Sequence, residues 1–310
     1  MILTVTLNTS IDKRYQLKRM KAGEVNRVNS CRCTAGGKGL NVSRVIVLAK
    51  EDVIATGFAG GHNGALLEEL AQKDGICTEF IHTECETRSC INIMDTDTKE
   101  QTELLEGGET IIPEKVEQMK KKYTELLKKA DVVTISGSIP RGVDDDIYPK
   151  FIQEAVHKEI PVLVDTSGPL LLKCIEAVPT LIKPNQDEIK QITGKEELSR
   201  EELIETCVYL RGKGIAYVVV SLGKRGSIMA APSGLYQAVV PKLDAVNTVG
   251  CGDSMLAGFA IGIKNHWDDR KILRYASAIS AANAMQEATG FYEKKDLDAI
   301  YEEVQIESIG

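Results

Sequence analysis

The sequence predicts an α/β protein with a largely parallel sheet covered by helices on both faces, plus a small inserted β-sheet lid. Three observations predict it. Short apolar, β-branched runs alternate with longer amphipathic ones along the chain, the pattern of β-α-β units. No internal repeat and no Pro/Ser-rich linker divides the chain. Two stretches of polar–apolar alternation break the pattern, and they read as antiparallel strands outside the main sheet.

Ile2–Thr6 (ILTVT) reads as a buried strand; no basic segment precedes it, so it is not read as a signal peptide. Arg14–Thr34 lacks helical period, and Asn26–Cys33 alternates clearly. Leu40–Ala49 is an apolar-faced helix after a glycine-rich turn, followed by strand Val53–Phe58 and helix Gly64–Lys73. Arg88–Leu105 repeats the alternating pattern: Ser89–Met94, a turn, then Gln101–Leu105. Pro113–Lys129 reads as a helix opened by its proline. Strand Val132–Ser136, helix Asp145–His157, strands Val162–Asp165 and Thr180–Ile182, and helices Gln186–Thr193 and Arg200–Lys213 continue the alternation. Strands Tyr217–Ser221, Ser227–Ala231 and Leu235–Val240 follow. Helices Asp253–Asn265, Asp269–Ala288 and Lys294–Val304 close the pattern. The expected organisation is a core of residues 1–13, 35–87 and 106–310 with a lid of 14–34 and 88–105. Four short strands with no core of their own need cover, which suits a lid over a site, with homodimerisation through it as a further expectation. An edge extension of the main sheet is the alternative.

The 310 residues carry 38 Lys+Arg against 45 Asp+Glu, a net charge of −7, with 43% hydrophobic and 5% aromatic residues. These are average globular values, which exclude disordered and fibrous classes. A net acidic chain with scattered basic residues is not expected to bind nucleic acid. No apolar run approaches the ~20 residues that span a bilayer, so no membrane association is expected. The eight cysteines include no C-x-x-C, and they read as reduced thiols of a cytoplasmic protein. Cys31 and Cys33 share one face of a predicted strand and read as structural.

In a parallel α/β sheet, ligands bind outside the carboxyl ends of the strands, and five polar segments lie there. Asn247-Thr248-Val249-Gly250-Cys251-Gly252-Asp253-Ser254 precedes an apolar helix. Exposed amides and the helix dipole would form an anion hole there. Taken alone, Asp253 reads first as a plain N-cap; inside an anion hole it suits a general base beside a transferring group. Gly36-Gly37-Lys38-Gly39-Leu40-Asn41 lets the backbone approach a ligand closely and adds a cation. It is neither a Walker A loop nor a dinucleotide fingerprint, which argues against a nicotinamide oxidoreductase. Lys183-Pro184-Asn185-Gln186-Asp187-Glu188 reads as a capping box or as a water-mediated Mg²⁺ site through Asn185 and Glu188. Ser221-Leu222-Gly223-Lys224-Arg225-Gly226 is a glycine-rich turn. Ser136-Gly137-Ser138-Ile139-Pro140 ends a strand. Arg44, Lys224 and Arg225 read as surface charges, Trp267 and Tyr292 as packing residues.

Gly36–Asn41 together with Thr248–Ser254 resembles the two signatures of the PfkB carbohydrate kinases. Asn8-Thr9-Ser10-Ile11-Asp12, Ser136–Pro140, Lys183–Glu188 and Ser221–Gly223 match that family in order. Thr9 stands where the family commonly has proline, and Cys251 where it often has Ala or Ser. Glu86–Ile91, Gln101–Glu106 and Asn283–Gly290 are similar to its phosphosugar branch, the tagatose-6-phosphate kinases foremost and the 1-phosphofructokinases as the alternative. The resemblance implies a ribokinase-like three-layer α/β/α core and transfer of the ATP γ-phosphoryl group, with Mg²⁺, to a sugar phosphate. It also implies the residue roles. Asp253 is the base, and the amides of Gly250, Cys251 and Gly252 form the anion hole. Asp12, Gly36, Gly37, Asn41 and Ser138 meet the sugar, and Arg27, Lys38 and Arg88 meet its phosphate. Lys183, Asn185, Ser221, Gly223, Gly226 and, on a late helix, Asn283 meet ATP. An accessible Cys251 in that hole is expected to be oxidation-sensitive. A non-catalytic sugar-phosphate sensor is the reading of another class.

Overall fold

A computed structural model describes residues 1–309. Its main sheet has 11 strands. In chain order these are β1 (Ile2–Thr6), β4 (Val53–Gly60), β5 (Cys77–Thr78), β6 (Ile81–Thr83), β9 (Val132–Ser136), β10 (Val162–Asp165), β11 (Leu181–Ile182), β12 (Tyr217–Ser221), β13 (Ser227–Ala231), β14 (Gly234–Val239) and β15 (Gln305–Ser308). The order is β15-β14-β13-β12-β11-β10-β9-β1-β4-β5, with β6 also on β4. β5 to β12 pair in parallel and β12 to β15 antiparallel. β1 sits centrally: every residue of ILTVT is buried, as a strand covered on both faces requires.

Alternate residues of these strands face two helical layers. Leu3, Val5, Val133, Ile135 and Val164 pack with α3 (Pro113–Leu127), α4 (Ile147–His157), α5 (Gly168–Glu176), α6 (Gln186–Thr193) and α7 (Arg200–Gly212). Ile2, Val132, Leu163, Leu181 and Val219 face α1 (Lys38–Leu48), α8 (Cys251–Lys264), α9 (Asp269–Ala284) and α10 (Lys294–Glu303). The expected three layers are therefore present. Helix α8 (CGDSMLAGFAIGIK) is apolar all round, and ten of its residues from Asp253 to Gly262 are buried, which fixes its polar start rigidly in the molecule.

A separate four-stranded sheet, in the order β3-β2-β7-β8, comprises β2 (Ser10–Leu17), β3 (Ser30–Gly36), β7 (Arg88–Asp95) and β8 (Gln101–Leu105). β2 and β7 pair in parallel, the outer pairs antiparallel. Its strands extend beyond 14–34, taking in Ser10–Lys13 and Ala35–Gly36. Residues 19–29 contain no strand, so the alternation of Asn26–Cys33 overstates β3 at its start. Ile11, Ala35 and partly buried Cys33 cluster with Leu67 and Ala71 of α2 (Gly61–Lys73). This packing fixes one face of the small sheet and turns the other toward the strand ends. All eight cysteines are unpaired, and burial pushes the core thiols of Cys174 and Cys207 up to about 12. No helix among the described residues is long and apolar enough to cross a membrane.

Candidate active site

Between the small sheet and the carboxyl ends of β1, β9, β10, β11 and β12 lies a cavity of about 840 Å³. Its floor carries the start of α8. Gly250 caps that helix in the left-handed region at φ 81°, and a Cβ there would stand 2.5 Å from Thr289 Cγ2. Only glycine fits this turn. Asn247 Oδ1 accepts from the Val249 amide at 3.1 Å, and Asn247 Nδ2 donates to the Glu287 carbonyl at 3.1 Å. Gly250 and Gly252 line the cavity. Cys251 does not: its amide donates to the Thr248 carbonyl at 3.3 Å because the left-handed turn at Gly250 brings the two together. Of the three residues expected to form the anion hole, Gly250 and Gly252 therefore border the cavity and Cys251 does not. Burial pushes the Cys251 thiol up to about 11. It is therefore poorly ionised, contrary to the oxidation-sensitive thiol expected.

Asp253, 6% exposed, stands in the first turn of α8 and faces the cavity. It caps nothing by side chain, so the plain N-cap reading fails. Its Oδ2 accepts from Asn41 Nδ2 at 2.8 Å. Asn41 Oδ1 in turn accepts from Arg44 Nη1 at 3.0 Å, and Arg44 Nε donates to Asp74 Oδ2 at 2.7 Å. Arg44 also donates to the carbonyls of Ala35 and Thr289. It is thus not a surface charge: it is 6% exposed and fixes which way the Asn41 amide points. Three residues past Asn41 on one helix, it shares that face, which was the available signal. Burial pushes Asp253 up to about 6, opposed by Lys38 and reinforced by Asp165.

Asp165 is the residue that motif reading missed. It ends β10, is buried, and splits its oxygens between two lysines. Oδ1 meets Lys38 Nζ at 3.0 Å and Oδ2 meets Lys183 Nζ at 3.1 Å. Burial works to raise its pKa, but the two ammonium groups overcome this and bring it down to about 2. Asp165 lifts the Lys38 pKa, so that ammonium stays charged. The signal was its place at the carboxyl end of a parallel strand, ahead of Thr166-Ser167-Gly168.

On the small sheet, Asp12 Oδ1 accepts from Ser10 Oγ at 2.6 Å. Gly36 leaves the space this carboxylate fills, since a Cβ there would lie 2.1 Å from Asp12 Oδ1. Burial raises the Asp12 pKa, against the Ser10 bond and the Arg88 charge. Arg88 donates to the carbonyls of Glu106 and Asn8, and Asn8 Nδ2 donates to Ser138 Oγ at 3.0 Å. Gly37, Lys38, Ser138 and Ser221 line the same cavity. Arg27 does not: it is exposed in the strandless 19–29 segment, which carries it away from the cavity.

On the nucleotide side, Lys183 and Asn185 line the cavity, but Asn283, Gly223 and Gly226 do not. Asn283 is fully buried and braces the loops, donating to the Val249 carbonyl and accepting from the Gly290 and Phe291 amides. Its side chain is thus committed to the anion-hole turn rather than to an adenine pocket. Gly226, at φ 82°, allows β14 to pass: a Cβ would lie 1.9 Å from the Ala238 carbonyl. Gly223 opens a short 3₁₀ turn at φ 59°.

Asn185 and Glu188 form a capping box. Asn185 Oδ1 accepts from the Asp187 and Glu188 amides, and Glu188 Oε2 accepts from the Asn185 amide. Asn185 Oδ1 is thus engaged by two amides, which leaves it no direct bond to a cation. Glu188 keeps its second oxygen, lines the cavity, and is raised in pKa by burial. Among the described residues no three His, Cys, Asp or Glu side chains converge. A cation would fit beside Glu188, with water and substrate oxygens completing its shell.

A buried carboxylate, helix-start glycines and two lysines fixed on Asp165 around one cavity suit phosphoryl transfer. The pfkB family carbohydrate kinase model matches residues 5–295, and the chain belongs to that family. A Staphylococcus aureus protein put forward as a phosphofructokinase is 30% identical, with a TM-score of 0.86, over 100% of this chain and 99% of its own. A Thermotoga maritima protein described as a possible 1-phosphofructokinase is 26% identical, with a TM-score of 0.89, over 100% of both chains. Arabidopsis thaliana ribokinase complexed with ribose and ATP, 19% identical, has a TM-score of 0.77 over 97% of this chain and 98% of its own. The core is thus the expected ribokinase-like fold, and the chain is a sugar kinase.

Proposed function

We propose that this kinase transfers the γ-phosphoryl group of ATP to the free primary hydroxyl of a ketohexose phosphate. The observation that carries the reading is Asp253, a buried carboxylate held by Asn41 beside the α8 amides. It takes the hydroxyl proton as the acceptor oxygen attacks. The amides of Gly250 and Gly252 and the ammonium of Lys183 offset charge on the group in transit. Asp12 and Asn41 orient the acceptor, and proximity supplies much of the rate. Bound Mg²⁺ would neutralise ATP phosphate charge, with Glu188 as its protein support. The small sheet acts as a lid that excludes water from the phosphoryl group. An intact base and anion hole weigh against a non-catalytic sensor.

Tagatose 6-phosphate is the substrate the sequence resemblance favours. Fructose 1-phosphate is the second reading, favoured by the similarity to the Thermotoga maritima protein. Both offer one phosphate and one free primary hydroxyl. Side-by-side kcat/KM for tagatose 6-phosphate, fructose 6-phosphate and fructose 1-phosphate decides between them; absence of ATP-dependent turnover with all three sinks the proposal. Strands β3 and β8 edge the lid without neighbours, and Val25, Leu104 and Leu105 are exposed. These features support a homodimer through the lid, which sedimentation velocity tests.

A further inference from the structure

We infer that Arg14 and Arg32, on the inner face of the small sheet, form an anion subsite that receives the phosphate already carried by the acceptor. The inference rests on the ketohexose phosphate reading above. Arg14 of β2 and Arg32 of β3 are directly opposed across the strand pair, and both line the cavity. Like charges in that position repel, which is tolerable where an anion comes between them. Arg14 bonds across the cleft to a neutral acceptor, the main-chain carbonyl of Glu287. Its buried Nε has no partner.

The nearby carboxylates do not neutralise the pair. Glu103 on β8 and Glu287 line the same cavity, but neither comes within 4.0 Å of an arginine nitrogen. Asp12, on the same face of β2, takes its hydrogen bond from Ser10. Arg88 on β7 also holds a buried, unpartnered Nε. The small sheet therefore presents three guanidinium groups to the cavity, while Arg27 stands outside. A phosphate dianion matches two guanidinium forks; an unphosphorylated sugar offers them nothing, so the pair selects for phosphorylated acceptors.

The test compares wild type with Arg14→Gln, Arg32→Gln, the double variant and Arg14→Lys. Each is assayed with the three ketose phosphates, with unphosphorylated fructose and tagatose, and with varied ATP. Each Gln substitution is expected to raise KM for the phosphorylated acceptor on the order of tenfold, the usual effect of losing a charge-assisted hydrogen bond. KM for ATP should stay constant, and Arg14→Lys should recover part of the loss. Inorganic phosphate should raise the melting temperature of wild type more than that of the double variant. An unchanged acceptor KM, or a rise in KM for ATP instead, overturns the subsite. If wild type turns over no ketose phosphate, the functional reading falls separately. Phosphate protection then decides the subsite alone: equal protection of wild type and double variant overturns it.

Discussion

Asp253 carries two opposed demands. Its raised pKa means that the fold holds the charged form at a cost, while the role proposed for it needs that form. Asp253→Asn should therefore lower kcat by ~10²–10⁴-fold, the contribution of a positioned base. The same variant should melt no lower than wild type at pH 7, because the native pKa is above the unfolded one and the carboxylate weakens folding above it. A fully active variant, or a large loss of melting temperature, contradicts this. By the same sign, kcat/KM should fall as pH drops through about 6, where Asp253 gains its proton; a flat profile down to pH 5 would reject Asp253 as the titrating base. Mild peroxide should leave activity unchanged, since the Cys251 thiol is held protonated. Of the residues proposed to touch the chemistry, Lys38 and Asp253 were legible in the sequence because they sit in or directly after glycine-marked turns. Asp165 was not, since its role comes from Lys38, far along the chain, and from Lys183; nor was Arg44, although Asn41, the residue it orients, lies one helical turn before it.

Elements differ in how plainly the sequence announces them. The long helices and apolar strands read clearly. Helix α5 (GPLLLKCIE) did not, because Gly168-Pro169 reads as a breaker, although proline suits the first helical turn. β5 and β6, of two and three residues, are too short to show a period, and β15 gains its identity only from pairing with β14. Helix α8 offers a contrast between position and packing. Gly250→Ala forces a Cβ into the left-handed turn, worth roughly 1–2 kcal/mol in backbone strain alone, and displaces the anion-hole amides, so kcat should fall with stability. Gly258→Ala sets a Cβ 2.6 Å from the Ala276 Cα of α9. It should destabilise by about 1–3 kcal/mol through overpacking and leave both KM values unchanged. Urea melts with parallel kinetics separate the two.

At the scale of the whole molecule, a chain of net charge −7 gathers Lys38, Lys183, Arg14, Arg32 and Arg88 around one cavity. Global charge says nothing of this, because the cations come from separate strands and one helix start. The hydrogen bond from Asn41 to Asp253 joins residues 212 positions apart, and the two lysines on Asp165 come from either side of it in the chain. Such long-range closure is slow to form, so no early-folded segment holds a working site. Activity in urea should vanish together with the tryptophan and circular-dichroism signals, with no active intermediate. A half-made chain emerging from synthesis would accordingly consume no ATP. On the role proposed for Asp253, nucleotide would be spent only by molecules that have finished folding, because 212 positions separate that carboxylate from the side-chain amide that holds it.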